Sequence, residues 1–126
     1  MAERNHHEDI VEGMAEQLKD ILAGSEQAMY LYLDDTHKMC NRKFAELLGY
    51  SSPEEWAKVK DPLAEGVAGK SQRAVVEAYQ RAMDKSAASA LKVTAKHRLG
   101  RTFEVDMIMV PVAYQGHKMA LHFIQA

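Results

Sequence analysis

The residues of this chain with the chemistry to hold a metal or move a proton are its histidines, its single cysteine and two acidic pairs. His6, His7, Glu8 and Asp9 stand together, but they precede the first amphipathic segment and read as a solvated tail. One cysteine, Cys40, excludes an internal disulfide and a multi-thiolate zinc site, and it reads as a small residue packed beside a helix start. His97, His117 and His122 fall on strand-like segments. His117 and His122 are five apart and so face opposite sides of a regular strand, and a lone strand histidine reads as exposed or internally satisfied. Turn chemistry accounts for Asp34 and Asp35, and an outer strand face accounts for Glu104 and Asp106. No nucleophile stands beside a base in a recognisable motif, and there is no glycine-rich phosphate loop. The enzymatic alternative is a small cone-shaped α+β enzyme with an Asp and a Tyr or His in its cavity.

A second kind of chemistry belongs to the apolar residues. Met39, Phe44, Leu48, Trp56, Tyr79, Met83, Phe103, Val105 and Met107 are candidate linings of an internal cavity. Thioethers and aromatic rings make a deformable pocket suited to a small apolar or planar molecule. The same residues equally describe a filled core.

Whatever these residues do, one domain must position them, since 126 residues favour a single core. With 47% hydrophobic and 27% charged residues, the composition argues against general disorder. A net charge of -2, with scattered Lys and Arg, gives no reason to expect direct nucleic-acid binding. No apolar run approaches the roughly 20 residues of a membrane span. The polar, acidic start "MAERNHHEDIVEG" is unlike a signal peptide and suggests a cytoplasmic protein.

In residues 8–23, Val11, Met14, Leu18 and Ile21 form an apolar seam flanked by Ile10, Ala15 and Leu22, which predicts an amphipathic helix stopped at Gly24 and Ser25. The seam would serve a subunit contact or pack on the chain's own domain. Residues 28–33 and 37–40 read as strands around the turn formers "DDTH". In "NRKFAELLGYSSPEEW", Asn41 caps a short helix that Gly49 ends, with Tyr50 folding back on it. Ser52, Pro53 and Glu55 start the next helix through a capping box, and Trp56 aims it at something apolar. Residues 57–70 read as a connecting loop. Ser71 caps a helix running to about Lys85, with Val75, Val76, Tyr79, Ala82 and Met83 on its buried side. The period then changes to two. "SALKVTAKHR", "TFEVDMIMVPV" and "KMALHFIQA" predict three strands, the second with Phe103, Val105, Met107 and Met109 on one face and Glu104, Asp106, Ile108 and Val110 on the other.

This order resembles the PAS domain family over residues 26–126. "MCNRKFAELLGYSSPEEW" is similar to the family's pattern of Asn, an aromatic, Leu-Leu-Gly-Tyr and Ser-x-x-Glu after the second strand. "LGRTFEVDMIMVPVAYQGHKMALHFIQA" resembles its final hairpin. The resemblance implies an α+β fold, a five-stranded antiparallel sheet with helices on one face, preceded by the amphipathic helix of residues 1–25. It also implies a sensory module with a ligand cavity, often a homodimer through the N-terminal helix, here through Val11, Met14, Leu18 and Ile21 with Ile108 and Val110 of the sheet. An output protein such as a kinase, cyclase or transcription regulator would be separate or belong to a longer chain. The alternative is a ligand-free interaction module. Flavin is disfavoured because Cys40 is misplaced relative to the light-sensing subfamily's cysteine. Haem is disfavoured because "SQRAVVEAYQRAMDK" has no histidine.

Overall fold

A computed structural model describes residues 6–126, with side chains from Glu8 onward. The side chains of His6 and His7 therefore lie outside the described residues, although the first helix already includes both positions. The elements are α1 (His6–Gly24), β1 (Ala28–Asp34), β2 (His37–Cys40), α2 (Arg42–Leu48), α3 (Pro53–Ala57), α4 (Pro62–Gly66), α5 (Gly69–Lys85), β3 (Ser89–Lys96), β4 (Thr102–Tyr114) and β5 (His117–Gln125).

All five strands join one sheet in the order β2-β1-β5-β4-β3. The first and last strands are antiparallel neighbours at its centre, with Ala28 opposite Ile124 and Tyr32 opposite Ala120. Gln115 and Gly116, both at positive φ, turn β4 back into β5 in a tight hairpin. Strand alternation divides the apolar side chains between two cores. Ala28, Val93, Val105, Met107, Met109, Ala120 and Ile124 face α2, α3 and α5. Met29, Leu31, Met119 and Leu121 face the other way, towards Ile10, Met14 and Leu22 of α1.

The local signals around α2 and α3 act as expected, with additions. Asn41 caps α2 by accepting from Phe44 N, and Gly49 ends it at φ 89°. The Tyr50 amide then bonds back to Ala45 O at 2.8 Å, which leaves the Tyr50 side chain buried. Gly49 also has no room for a side chain, since a Cβ there would lie 2.2 Å from the His97 ring. Ser52 caps α3 through Glu55 N. Glu55 turns its carboxylate to the Ser51 amide at 2.7 Å, one residue before the partner a capping box uses.

Three expectations need correction. Residues 57–70 are not a plain loop: Asp61 caps α4, and Val67 bridges to Ala95 of β3. Helix α5 begins at Gly69, so Ser71 is no cap, and its hydroxyl instead accepts from the buried Thr94 amide at 2.9 Å. The buried stripe of α5 is Ser71, Val75, Ala78 and Ala82, with Val76 turned outward. This helix packs through its smallest residues, which lets its backbone approach the sheet.

The seam of α1 is rotated as well. Ile10, Met14 and Leu22 are buried, with Leu18 packed beside them and Val11 nearly covered, while Ile21 is 58% exposed. The chain's own sheet takes most of the apolar stripe because its outer face would otherwise be bare hydrocarbon. Gly13 allows the close approach, since a Cβ there would lie 2.5 Å from the Tyr114 hydroxyl.

One buried side chain joins these layers. Asn41 Nδ2 donates to Leu22 O at 3.3 Å and Gln27 O at 2.9 Å, and its Oδ1 accepts from Met29 N at 3.1 Å and Phe44 N at 3.0 Å. Replacing Asn41→Ala leaves these main-chain groups without their side-chain partner and should cost about 3 kcal/mol, roughly 10 °C in Tm. Calorimetry of the variant checks this, and a loss of under about 3 °C would mean the joint is not structural.

Candidate functional site

Between the sheet and α2–α5 lies a cavity of about 130 Å³. Its floor is the inner face of β1, β3, β4 and β5, through Tyr30, Val93, Ala95, Val105, Met107, Met109, His122 and Ile124, and its roof comes from Phe44, Leu48, Trp56, Leu63, Val67, Val75 and Tyr79. Exposed Asp35 and Val76, with Pro62, mark its mouth. The volume approaches that of the roughly 150 Å³ apolar cavity that holds benzene.

An aromatic group builds one wall. Tyr30 lies 4.6 Å from Phe44 and 5.3 Å from Trp56 between ring centroids, and Phe44 meets Trp56 edge-on at 5.1 Å. The fourth ring is His122, stacked on Tyr30 at 3.8 Å and 9°. Trp56 is fixed from behind by Lys38, whose ammonium sits 5.4 Å from its ring. Lys38 Nζ also donates to Asp35 O, to Ala57 O at 3.1 Å and to Val59 O at 2.6 Å, which ties the end of α3 to β2. Burial pulls the Lys38 pKa down, against the opposing charges of Asp35 and Asp34.

His122 is 2% exposed, and its Nδ1 has no hydrogen-bond partner among the described residues. Burial holds its pKa down at about 3, with the main-chain groups of Tyr30 and Ala120 opposing, so the ring is neutral at physiological pH. At the mouth, Tyr32 donates to Asp35 Oδ1 at 2.5 Å, and Tyr79 donates to Leu33 O at 3.2 Å. Desolvation and the Asp35 carboxylate both raise the Tyr32 pKa.

Of the expected lining, Phe44, Leu48, Trp56, Tyr79, Val105 and Met107 come together around this space. Met39 does not: Lys38 and Cys40 are the buried residues of β2, and Met39 between them points to the α1 side. Met83 and Phe103 pack against the inner core beyond the cavity wall. His122, expected to be exposed or internally satisfied, is buried, and its Nδ1 has no hydrogen-bond partner among the described residues. His117 does point to the opposite face of β5. Cys40 is buried outside the lining, its thiol pushed up to about 12 by desolvation. Glu104 accepts from Thr94 Oγ1 and Asp106 from Lys92 across the outer strand face. Among the described residues no group of three or more His, Cys, Asp or Glu could hold a metal ion, and no helix is long and apolar enough to cross a membrane.

Solved structures with this arrangement identify the fold. The PAS domain of a protein from Colwellia psychrerythraea superposes with a TM-score of 0.70 at 14% identity, over 89% of this chain and 95% of its own. This is a PAS fold. A PAS domain from a two-component sensor histidine kinase superposes at 0.65 with 14% identity, over 90% and 96% of the two chains. The PAS domain of an HTR-like protein from Haloarcula marismortui matches at 0.61 with 16% identity, over 97% and 98%. No protein-family model and no curated protein matches the sequence.

Burial of neutral His122 sets an acid limit on this PAS fold. The folded pKa lies below the ordinary 6.5, so below that pH the unfolded chain binds the proton that the folded chain refuses. The contribution of His122 to stability is therefore complete above pH 6.5 and falls by up to about 1.4 kcal/mol per pH unit down to about 3. Urea unfolding between about pH 7.5 and 4 should show this slope in the wild type and a shallower one in His122→Phe. Equal slopes would contradict the burial.

Proposed function

We propose that this domain is a cytoplasmic sensory module: a small, mostly apolar ligand enters the cavity, and the signal leaves through α1 and the outer sheet face. The observation that carries the reading is the placement of cavity and α1 on opposite sides of the same strands. Along β5, Ala120, His122 and Ile124 face the inner core while Met119 and Leu121 face α1. β1 does the same with Tyr30 between Met29 and Leu31. β1 and β5 cannot move towards a ligand without moving the seat of the helix. A ligand then acts by preferring one seat over another. The similarity to a PAS domain from a two-component sensor histidine kinase supports a signalling context, with a separate kinase, cyclase or transcription regulator as output.

The second element of the reading is a homodimer. α1 packs over β1, β2 and β5 and reaches Tyr114 at the end of β4, but it leaves Ile108 of β4 46% exposed beside half-buried Val110. Ile21 of α1 is likewise turned to solvent. A second copy bringing its α1 against Ile108 and Val110 would cover both patches, which monomers tend to avoid exposing. Ile108→Glu and Ile21→Glu lie outside both cores and should leave the fold intact.

Light scattering should report a dimer for the wild type and half that mass for either variant. A wild-type monomer, or variants that stay dimeric, would remove the homodimer from the reading. For the ligand, native mass spectrometry of freshly purified protein should find a small molecule that heating releases. Probes that enter the cavity should raise Tm in proportion to the logarithm of their concentration. A protein that carries nothing and that no apolar probe stabilises would leave the ligand-free interaction module.

A further inference from the structure

We propose that the Tyr30 hydroxyl is the hydrogen-bonding anchor of the cavity and that the ligand is an uncharged compound of one or two rings carrying an acceptor such as a carbonyl oxygen. This rests on the cavity being a ligand site, and it names the ligand chemistry that the site selects. Three tyrosines line the space, Tyr30, Tyr32 and Tyr79. Two of their hydroxyls are committed within the protein: Tyr32 donates to Asp35 Oδ1 at 2.5 Å and Tyr79 to Leu33 O at 3.2 Å. The Tyr30 hydroxyl has no hydrogen-bond partner among the described residues, and only desolvation acts on it.

Its position makes that hydroxyl reachable. Tyr30 stands on a central strand, opposite Cys40 of β2 and His122 of β5, and its ring lies on the inner face against Phe44 and Trp56. A side chain enclosed in this way would be fully covered in a filled core, yet Tyr30 is only half-buried. The surface it keeps open is the wall of the cavity it lines. The hydroxyl shares in that surface. His122 Nδ1 is, among the described residues, the one unpartnered side-chain polar atom that is fully covered, so the Tyr30 oxygen, equally without a partner, is left open.

The arrangement selects a neutral acceptor. A phenol donates a hydrogen bond better than it accepts one, because its lone pairs are drawn into the ring, and burial raises the Tyr30 pKa and keeps the proton in place. A buried hydrogen bond left unmade is costly, and a ligand acceptor recovers it. No lysine or arginine lines the cavity and Asp35 stands at its mouth, so a carboxylate or phosphate would meet no compensating cation. The rest of the wall is ring and thioether, from Phe44, Trp56, Met107 and Met109, and suits a flat apolar body. The volume of about 130 Å³ limits that body to one ring or a compact pair.

The experiment uses two bicyclic probes of similar shape. Indanone carries a carbonyl acceptor and no N–H or O–H donor, and indene carries neither. Tyr30→Phe removes one oxygen, keeps the ring and breaks no hydrogen bond within the protein. Calorimetric titration of both probes into wild type and variant forms a cycle that cancels the differing hydration of the probes. Tyr30→Phe should weaken indanone about fivefold and leave indene within about twofold. Wild-type protein labelled with carbon-13 at tyrosine Cζ keeps the test open if the variant fails to fold: saturating indanone should move the Tyr30 resonance downfield and indene should not. Equal losses for the two probes in the variant, a wild type that takes indene but not indanone, or a Tyr30 signal that both probes move alike would overturn the anchor while leaving the cavity as a ligand site. Failure of both probes to bind the wild type would overturn the cavity reading and the anchor with it.

Discussion

The side-chain amide of Asn41 is the joint on which this structure depends. Its two N–H groups and its oxygen make four hydrogen bonds, the full complement such a group offers. The partners belong to the last turn of α1, the α1–β1 connection, the start of β1 and the first turn of α2. A buried amide satisfied in this way fixes geometry, because no partner can leave without stranding a polar group. Helix α2 carries Phe44 and Leu48 into the cavity wall, so the residue that orients the cavity also holds the end of the helix behind the sheet.

The strands supply a second, parallel connection. β5 is apolar on both faces because each face meets its own core, and β1 beside it repeats the pattern. A displacement of either strand is felt on both sides, because its alternate side chains belong to the two cores. The helical roof is built differently. α5 lies on the sheet through Ser71, Val75, Ala78 and Ala82, and α4 is a single short turn with no buried residue.

How much of this was legible in the sequence depended on the range of the determining contacts. The Asn41–Trp56 segment reads well because caps, glycine and proline act within a few residues, and the five-stranded antiparallel sheet is what the PAS-family resemblance implies. Met39 was misplaced by one step of strand parity, which depends on whether Cys40 faces the helices. α4 was missed because Asp-Pro and two nearby glycines resemble a loop, although Asp61 before Pro62 is itself a helix-start signal. His122 was the largest miss. Its neighbours Met119, Ala120, Leu121, Phe123 and Ile124 form an apolar run on both faces, the signature of a strand buried on both sides. That run required the histidine within it to be buried too. The other contacts of Asn41 span up to 19 residues and leave no local trace.

The central claim, that cavity and α1 are coupled through Asn41 and the central strands, is tested most directly by amide hydrogen exchange with and without saturating indene. The account predicts altered exchange in the last turn of α1 and the amide of Met29, beyond the reach of the probe, together with changes in the cavity wall. Exchange altered only in the residues lining the cavity, with α1 unchanged, would contradict it.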